Sequence, residues 1–346
     1  MKHELNGLSM NDGGRRELHV KDTMPRVEVL LATYNGERFL REQIDSILSQ
    51  DYGDLYVLAR DDGSSDGTPG ILSEYAERFP DRFRVVATDR ATGSAKGNFL
   101  RLMNASTAEY VCFSDQDDVW LADKVSKTMQ AMSRLESSRG TGTPLLVFTD
   151  LRVVDDALNT MDESFWRQGG IRPGQITNFA SLLGHNVVTG CTALINRRLL
   201  EMSVRMPEEA AMHDSWIALL ASALGAAEVV REKTVLYRQH DRNVVGVDRR
   251  TGSPQELVGR LSRGEARILQ WRVNERQAEA FLRVYDKELP TASREVIEAY
   301  LRCGRSESRF VRVSTMIRYR FFRSGLLRNI ATFVDLWRGK MDRQAV

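Results

Sequence analysis

The stretch YVCFSDQDDVW, residues 110–120, joins a short apolar run to three carboxylates within four positions, Asp115, Asp117 and Asp118, and closes on Trp120. The run from Tyr110 to Phe113 predicts a buried strand, so the acids stand where a strand leaves its sheet. Open α/β sheets bind ligands at that edge. Neighbouring carboxylates repel one another, and a hard divalent cation is the economical reason to gather them. A solvated turn with a helix cap is the alternative, since Asp is common in both roles. An EF-hand is excluded, because Trp120 stands where the calcium loop needs Gly and no acid closes it.

The flanking segments place this strand in a larger pattern. Val27 to Ala32 is a predicted strand, and Glu37 to Gln50 a helix with Phe39, Leu40, Ile44, Ile47 and Leu48 on one face. Further strands are predicted at Leu55–Ala59 and Phe83–Ala87, with a helix ending at Phe79 and another starting near Lys96. The alternation predicts an α/β fold with a doubly wound, mostly parallel sheet flanked by helices. A helix over 121–135, a loop over 137–143 and a strand over 145–154 follow, and residues 156–180 lack clear periodicity. The strand-like 187–195, a helix at 214–224 and short strands at 227–230 and 234–238 complete this part. From about Gly252 the pattern turns helical and Arg-rich. Three regions result: a flexible segment 1–24, an α/β domain 25–250 and a basic helical module 251–346.

The 346 residues, 42% apolar and 28% charged, suit a globular protein with a sizeable core. The formal charge of +2 hides an asymmetry: residues 305–346 hold ten Lys/Arg against three Asp/Glu. Three widely separated cysteines, Cys112, Cys191 and Cys303, do not predict a disulfide framework or zinc spacing and suit a reducing cytoplasm. The polar first 24 residues and the absence of eighteen consecutive apolar residues predict neither a secretion signal nor a membrane span.

Four other motifs fall at strand ends or helix starts. Ala32-Thr-Tyr-Asn-Gly36 follows the first strand, where a turn can approach an anionic ligand. In Asp61-Asp-Gly-Ser-Ser-Asp66, Asp62 is placed to meet a base or ribose, while Ser65 or Asp66 would cap the next helix. His213-Asp214 opens an amphipathic helix, where an N-cap is the plainer role for Asp214. Tyr237-Arg-Gln-His240 ends a strand, and a lone His there is commonly structural.

Taken in order, Thr33-Tyr-Asn-Gly, Asp61-Asp-Gly-Ser-Ser-Asp-Gly-Thr, Ser114-Asp-Gln-Asp-Asp-Val-Trp, Gly190-Cys-Thr, His213-Asp-Ser-Trp and Tyr237-Arg-Gln-His resemble the family 2 glycosyltransferases of GT-A fold, in particular bacterial rhamnosyltransferase-type enzymes. The likeness covers roughly residues 25–247. It implies an inverting, metal-dependent transfer of a sugar from a dTDP- or UDP-linked donor to a glycan or lipid-linked acceptor, in cell-surface polysaccharide synthesis. By the same resemblance Asp117, in the position of the family's DXD motif, and His240 would hold Mn²⁺ or Mg²⁺, and Asp115 the ribose or metal. Asp214 would be the catalytic base, with His213 where the family usually has Glu. Thr33, Tyr34, Asn35 and Asp62 would contact the nucleotide, and Lys96 or Asn98 would lie near the donor. Sugar nucleotidyltransferases are disfavoured, since residues 32–36 lack the basic residue a triphosphate needs. A catalytically inactive sugar-nucleotide-binding or membrane-scaffold protein is the other reading, and turnover distinguishes the two.

No nucleic-acid module accompanies the basic tail. In that tail Ile317, Phe321, Leu327, Ile330, Val334 and Trp337, with Arg318, Arg320, Arg323 and Arg328, have the composition of a helix lying on an anionic membrane at the inner face of the plasma membrane. A helix packed on the catalytic domain, or two helices broken at Gly325, is the alternative. The oligomeric state is not legible in the sequence.

Overall fold

The structure, a computed structural model, describes residues 24–240 and 264–338 apart from residue 324. The segment 1–23, the tail beyond 338 and the boundary drawn at 250 lie outside the described residues. Strands β1 (Val27–Thr33), β2 (Leu55–Asp61), β3 (Phe83–Val85) and β4 (Tyr110–Ser114) are parallel and lie in the order β3-β2-β1-β4. Helices α1 (Leu40–Leu48), α2 (Thr68–Arg78) and α3 (Ala95–Ala105) are the crossovers between them. This is the βαβ alternation expected from the apolar periodicity.

Beyond β4 the sheet is mixed. The strand β8 (Ala193–Asn196) runs antiparallel to both β4 and β6 (Leu145–Val154), whereas β9 (Ala226–Arg238) runs parallel to β6. The two residues of β5 (Val119–Trp120) pair antiparallel with β9, and β7 (Thr160–Asp162) pairs with the end of β6. Three local expectations are corrected. The two short strands expected at 227–230 and 234–238 are one strand, whose register shifts near Asp150 of β6 carry it across the polar Arg231–Lys233 segment. Only the end of 187–195 is a strand, because residues 190–192 coil into a 3₁₀ turn. The helix α4 (Lys124–Arg139) runs through the expected start of the loop and stops at Gly140, whose φ of 83° suits glycine. Between β7 and β8 the short helices α5 (Phe165–Gly169) and α6 (Phe179–Gly184) occupy the region without periodicity, and α7 (Arg197–Ser203) follows β8.

Side chains alternate across the sheet as the strand period of two demands. Val27, Val29 and Leu31 of β1 join the core beneath α1, α2 and α4, while Leu30 joins the core on the opposite face. That second core is shared by α3, by α8 (His213–Leu224) and by four later helices: α9 (Gly264–Tyr285), α10 (Thr291–Arg305), α11 (Arg309–Tyr319) and α12 (Leu326–Arg338). Fully buried Trp216 of α8 meets Phe281 and Tyr285 of α9 at ring-centroid distances of 5.2 and 5.8 Å. The Tyr285 hydroxyl, with burial holding its pKa up at about 12, donates to the Met202 carbonyl at 2.7 Å. All three cysteines are buried and unpaired. Among the described residues no helix is long and apolar enough to cross a membrane.

Candidate active site

The parallel strands end together. Thr33 and Asp61 are register partners at the ends of β1 and β2, and β4 delivers residues 115–118 to the same edge. Asn35, in the first of these loops, has a left-handed φ of 50°, which Asn tolerates better than most residues. Its backbone N–H donates to Ser64 Oγ at 2.8 Å, and its amide oxygen accepts from the Ser65 N–H. Asp66 accepts from the Thr68 and Glu37 backbone N–H groups, so it ties the second loop to the first as well as serving the start of α2.

Gln116, the middle residue of the acidic motif, grips the Tyr34 backbone twice: its Oε1 accepts from Tyr34 N–H at 2.8 Å and its Nε2 donates to Tyr34 O at 2.9 Å. A Cβ on Gly36 would lie 2.2 Å from that same Oε1, so a larger residue there would push the Gln116 amide off the Tyr34 backbone. Tyr34 itself is 59% exposed, leaving its ring open to solvent.

Three residues expected near the nucleotide or donor make specific contacts within the chain. Asn98 is buried, donating to the Thr33 and Arg60 carbonyls and accepting from Arg60 Nη1 at 2.8 Å. Lys96 Nζ donates to the Glu208 and Ala210 carbonyls at 2.5 and 2.7 Å. Both oxygens of Asp62 are occupied, Oδ1 by Arg60 Nη1 and the Thr92 N–H, Oδ2 by Thr92 Oγ1 and the Gly93 N–H. Burial alone would raise the Asp62 carboxyl, but these donors outweigh it and hold the pKa below the ordinary value. Asn98 and Asp62 thus brace the pocket around Arg60, which also donates to the Arg90 carbonyl. Lys96 ties α3 to the segment that leads into α8. The Thr33 hydroxyl is likewise used within the chain, donating to Asp61 Oδ1 at 3.0 Å.

The acidic loop gathers its carboxyl groups at close quarters. Burial first, and then the charges of Asp117 and Asp214, push the Asp115 carboxyl up to about 7. Asp118 is fully buried: its Oδ1 accepts from the Arg238 N–H, its Oδ2 has no hydrogen-bond partner among the described residues, and it is raised well above the ordinary carboxylate range. Oxygens of Asp115 and Asp118 and the sulfur of Cys191 lie within 4.8 Å of one another. Asp117 lies beside His240, Nε2 to Oδ2 at 2.9 Å, and that ring stacks on Phe39 at 5.3 Å. Gathered carboxylates with an orphaned oxygen and an adjacent imidazole are a donor set that fits Mn²⁺ or Mg²⁺.

Two cations missed by sequence reasoning support the loop. Arg238, 1% exposed, donates from Nε to the Asp117 carbonyl at 2.9 Å, pairs with Glu42 and stacks over Phe39. Lys124 is fully buried behind the loop with its ammonium 4.0 Å from the Trp120 ring centroid. Burial lowers its pKa, opposed by the nearby acidic groups Cys112, Cys191 and Asp118. A basic residue inside a motif or at a helix start was the available signal, but the burial was not.

Asp214 lies in the first turn of α8 and not at its cap, which is Met212. Its carboxylate accepts from the backbone N–H groups of Ser215 and Gly190 and from the Asn186 side chain. Burial outweighs these donors and pushes the pKa up to about 6. His213, 4% exposed, forms an apolar floor: its ring lies 4.0 Å from Phe99 and 5.1 Å from Phe113, and burial holds its pKa near 3, so it is neutral. A Cβ at Gly190 would come 2.7 Å from His213 Nε2, which explains the glycine of Gly190-Cys-Thr.

One further residue could not be found from motifs. Gln277 of α9, 1% exposed, accepts from the Ala211 N–H at 2.9 Å and donates to Ser215 Oγ at 3.0 Å, so it spans the His213-Asp214 pair. Gln277→Ala should orphan these groups, cost about 1–3 kcal/mol of stability and lower turnover while leaving donor affinity unchanged. Chemical denaturation and steady-state kinetics test this, and unchanged kinetics would restrict Gln277 to a packing role.

Residues 28–202 match the family model described as glycosyl transferase family 2, just over half of the chain. A dTDP-rhamnosyl transferase, RfbG, of Shigella flexneri is 27% identical over 232 residues, 63% of this chain and 74% of its own length. A GalNAc(5)-diNAcBac-PP-undecaprenol beta-1,3-glucosyltransferase of Campylobacter jejuni is 31% identical over 107 residues, 31% of this chain and 34% of its own. The crystal structure of residues 1–349 of S. aureus TarS, in complex with UDP-GlcNAc, superposes with a TM-score of 0.50 at 15% identity, over 90% of this chain and 89% of that one, and so shares the fold.

Proposed function

The chain belongs to glycosyl transferase family 2, and we propose that it is an inverting, metal-dependent enzyme whose catalytic base is Asp214. The observation that carries this reading is the meeting of two elements: Gly190 packs against Asp214 of α8, and the next residue, Cys191, brings its sulfur within 4.8 Å of the Asp115 and Asp118 oxygens of the acidic loop after β4. A group that takes a proton thereby faces a group of acids suited to a cation.

In the proposed reaction an acceptor hydroxyl enters beside Asp214 and attacks the anomeric carbon from the face opposite the diphosphate. The new C–O bond forms as the bond to the nucleoside diphosphate breaks, and the hydroxyl proton passes to Asp214. A carboxylate with a pKa of about 6 is ionised at neutral pH and still basic enough to help. Asn186 and the Gly190 N–H orient it, and the neutral His213 ring excludes water beneath it. Mn²⁺ or Mg²⁺, held by Asp117 and His240 with Asp115 at the ribose or metal, would supply Lewis-acid neutralisation of the leaving diphosphate. The loop 33–36, with the exposed Tyr34 ring, would receive the nucleotide. Rhamnose on dTDP is the proposed donor, supported by the likeness to RfbG, and a glycan or lipid-linked hydroxyl is the proposed acceptor.

The test is release of nucleoside diphosphate from dTDP-rhamnose and from UDP-hexoses with Mn²⁺, Mg²⁺ or a chelator present. Metal-dependent release from dTDP-rhamnose is expected. Release from another donor would reassign the sugar. Binding of nucleotide sugars without turnover, with acceptors present, would leave a sugar-nucleotide-binding protein.

A further inference from the structure

We infer that the outer face of α11 and α12 seats the protein on an anionic lipid bilayer. Nine large hydrophobic side chains are strongly exposed among the described residues, and five of them lie on these two helices: Phe310, Val311, Ile317, Ile330 and Trp337. Phe310, at 70%, is the most exposed. Its ring meets Trp337 edge-on at 5.4 Å, which joins the two helices into one apolar patch, and the Arg309 guanidinium lies 5.3 Å from the Trp337 ring centroid.

The exposure is not for want of polar residues. Arg312, on the same helix, is only 7% exposed, and its guanidinium donates to the carbonyls of Leu336, Ser306 and Glu307. It thereby ties α12 and the end of α10 to α11. Met316, Phe321 and Leu336 lie in the core below, and Arg267 pairs with buried Asp335 at 2.7 Å to bind α12 to α9. The sequence pattern would have placed Phe321 on a lipid face, yet it is buried. The chain instead breaks into two helices that together turn a different apolar set outward.

Charge selects the occupant. Arg309, against the Trp337 ring, and Arg318 and Arg320, at the end of α11 and just after it, are all exposed, against one exposed carboxylate, Glu307, in the span 305–338. A second copy joined by a two-fold axis would set these cations against one another. Single-stranded nucleic acid would use the aromatic rings but would gain little from Val311, Ile317 and Ile330. An anionic bilayer uses both, burying the apolar groups at the headgroup boundary while Arg meets the lipid phosphates. The inference does not depend on the donor, the acceptor or turnover.

The experiment is flotation of the full chain with vesicles of phosphatidylglycerol and phosphatidylethanolamine, and with phosphatidylcholine alone, at low and raised ionic strength. Binding to the anionic vesicles is expected, weakened by salt, and at least about tenfold weaker for the Phe310→Ser/Trp337→Ser double variant. Arg309→Glu/Arg318→Glu should weaken it similarly, and both variants should melt as the parent does. No binding by the parent, or equal binding by correctly melting variants, overturns the inference. A fall in solution mass on substituting Phe310 and Trp337 would make the face a contact between copies, and binding to single-stranded nucleic acid in preference to vesicles would also overturn it.

Discussion

Asp214→Asn is expected to lower turnover by about 10²–10⁴-fold, the usual contribution of a positioned base, while donor affinity stays within a few-fold. The carboxamide keeps the size of the side chain and can still accept from Asn186 and the Gly190 N–H, so the geometry survives and only the proton acceptor is lost. The pH dependence follows from the raised pKa of about 6. The group is a base only when ionised, so turnover of the parent should rise as pH rises through about 6 and level off above it. Stability runs the other way: a carboxyl whose folded pKa exceeds its unfolded value binds protons more tightly in the fold, so stability falls as pH rises through the window between the two. The variant should therefore be no less stable than the parent at neutral pH. Titration calorimetry with the donor nucleotide, rate–pH profiles and thermal melts test the three parts. Full activity in the variant would remove Asp214 from the chemistry, and loss of donor binding would place it in the donor pocket.

Asp117→Asn is expected to abolish metal-dependent turnover, a loss of roughly 10³-fold or more if the ion contributes several kcal/mol to leaving-group stabilisation. The reason is electrostatic. Asp115 and Asp118 are already raised by burial and by the charge of Asp117, so the loop is suited to a cation. Removing the Asp117 charge relieves that repulsion and also removes an anionic oxygen beside His240. The metal-free variant should consequently melt at or above the temperature of the metal-free parent, whereas Mn²⁺ should raise the melting temperature of the parent alone. Calorimetry with and without Mn²⁺ reads this independently of turnover. An equal metal-induced rise in both proteins would exclude Asp117 from the ion's ligands.

The parallel half of the sheet and the siting of its loops were legible because strand, helix and turn there each obey a local rule. Apolar runs of four to seven residues alternate with amphipathic helices, and the acidic and Gly/Asn-rich stretches fall where strands must end. The second half was less legible. Strand β9 crosses a polar interruption that its partner β6 tolerates through shifted register, and the helices between 165 and 184 are too short to show a period. The motifs were visible, but what their side chains do was not always so. Asp62, Asn98 and Lys96 stand at the expected places and spend their polar atoms on Arg60, the 92–93 loop and the 208–210 carbonyls.

By itself, then, the sequence determined that this is a family 2 glycosyltransferase with acids at the β4 edge and an aspartate opening α8, because periodicity and motif order are properties of neighbouring residues. Only the tertiary structure decided that Gln277 braces Asp214 from 63 positions away in the chain, that Arg238 holds the acidic loop, and that Arg312 is buried while Phe310 is exposed. Hydrogen-bond partnership and burial depend on which distant segments meet, and local pattern carries no record of that meeting.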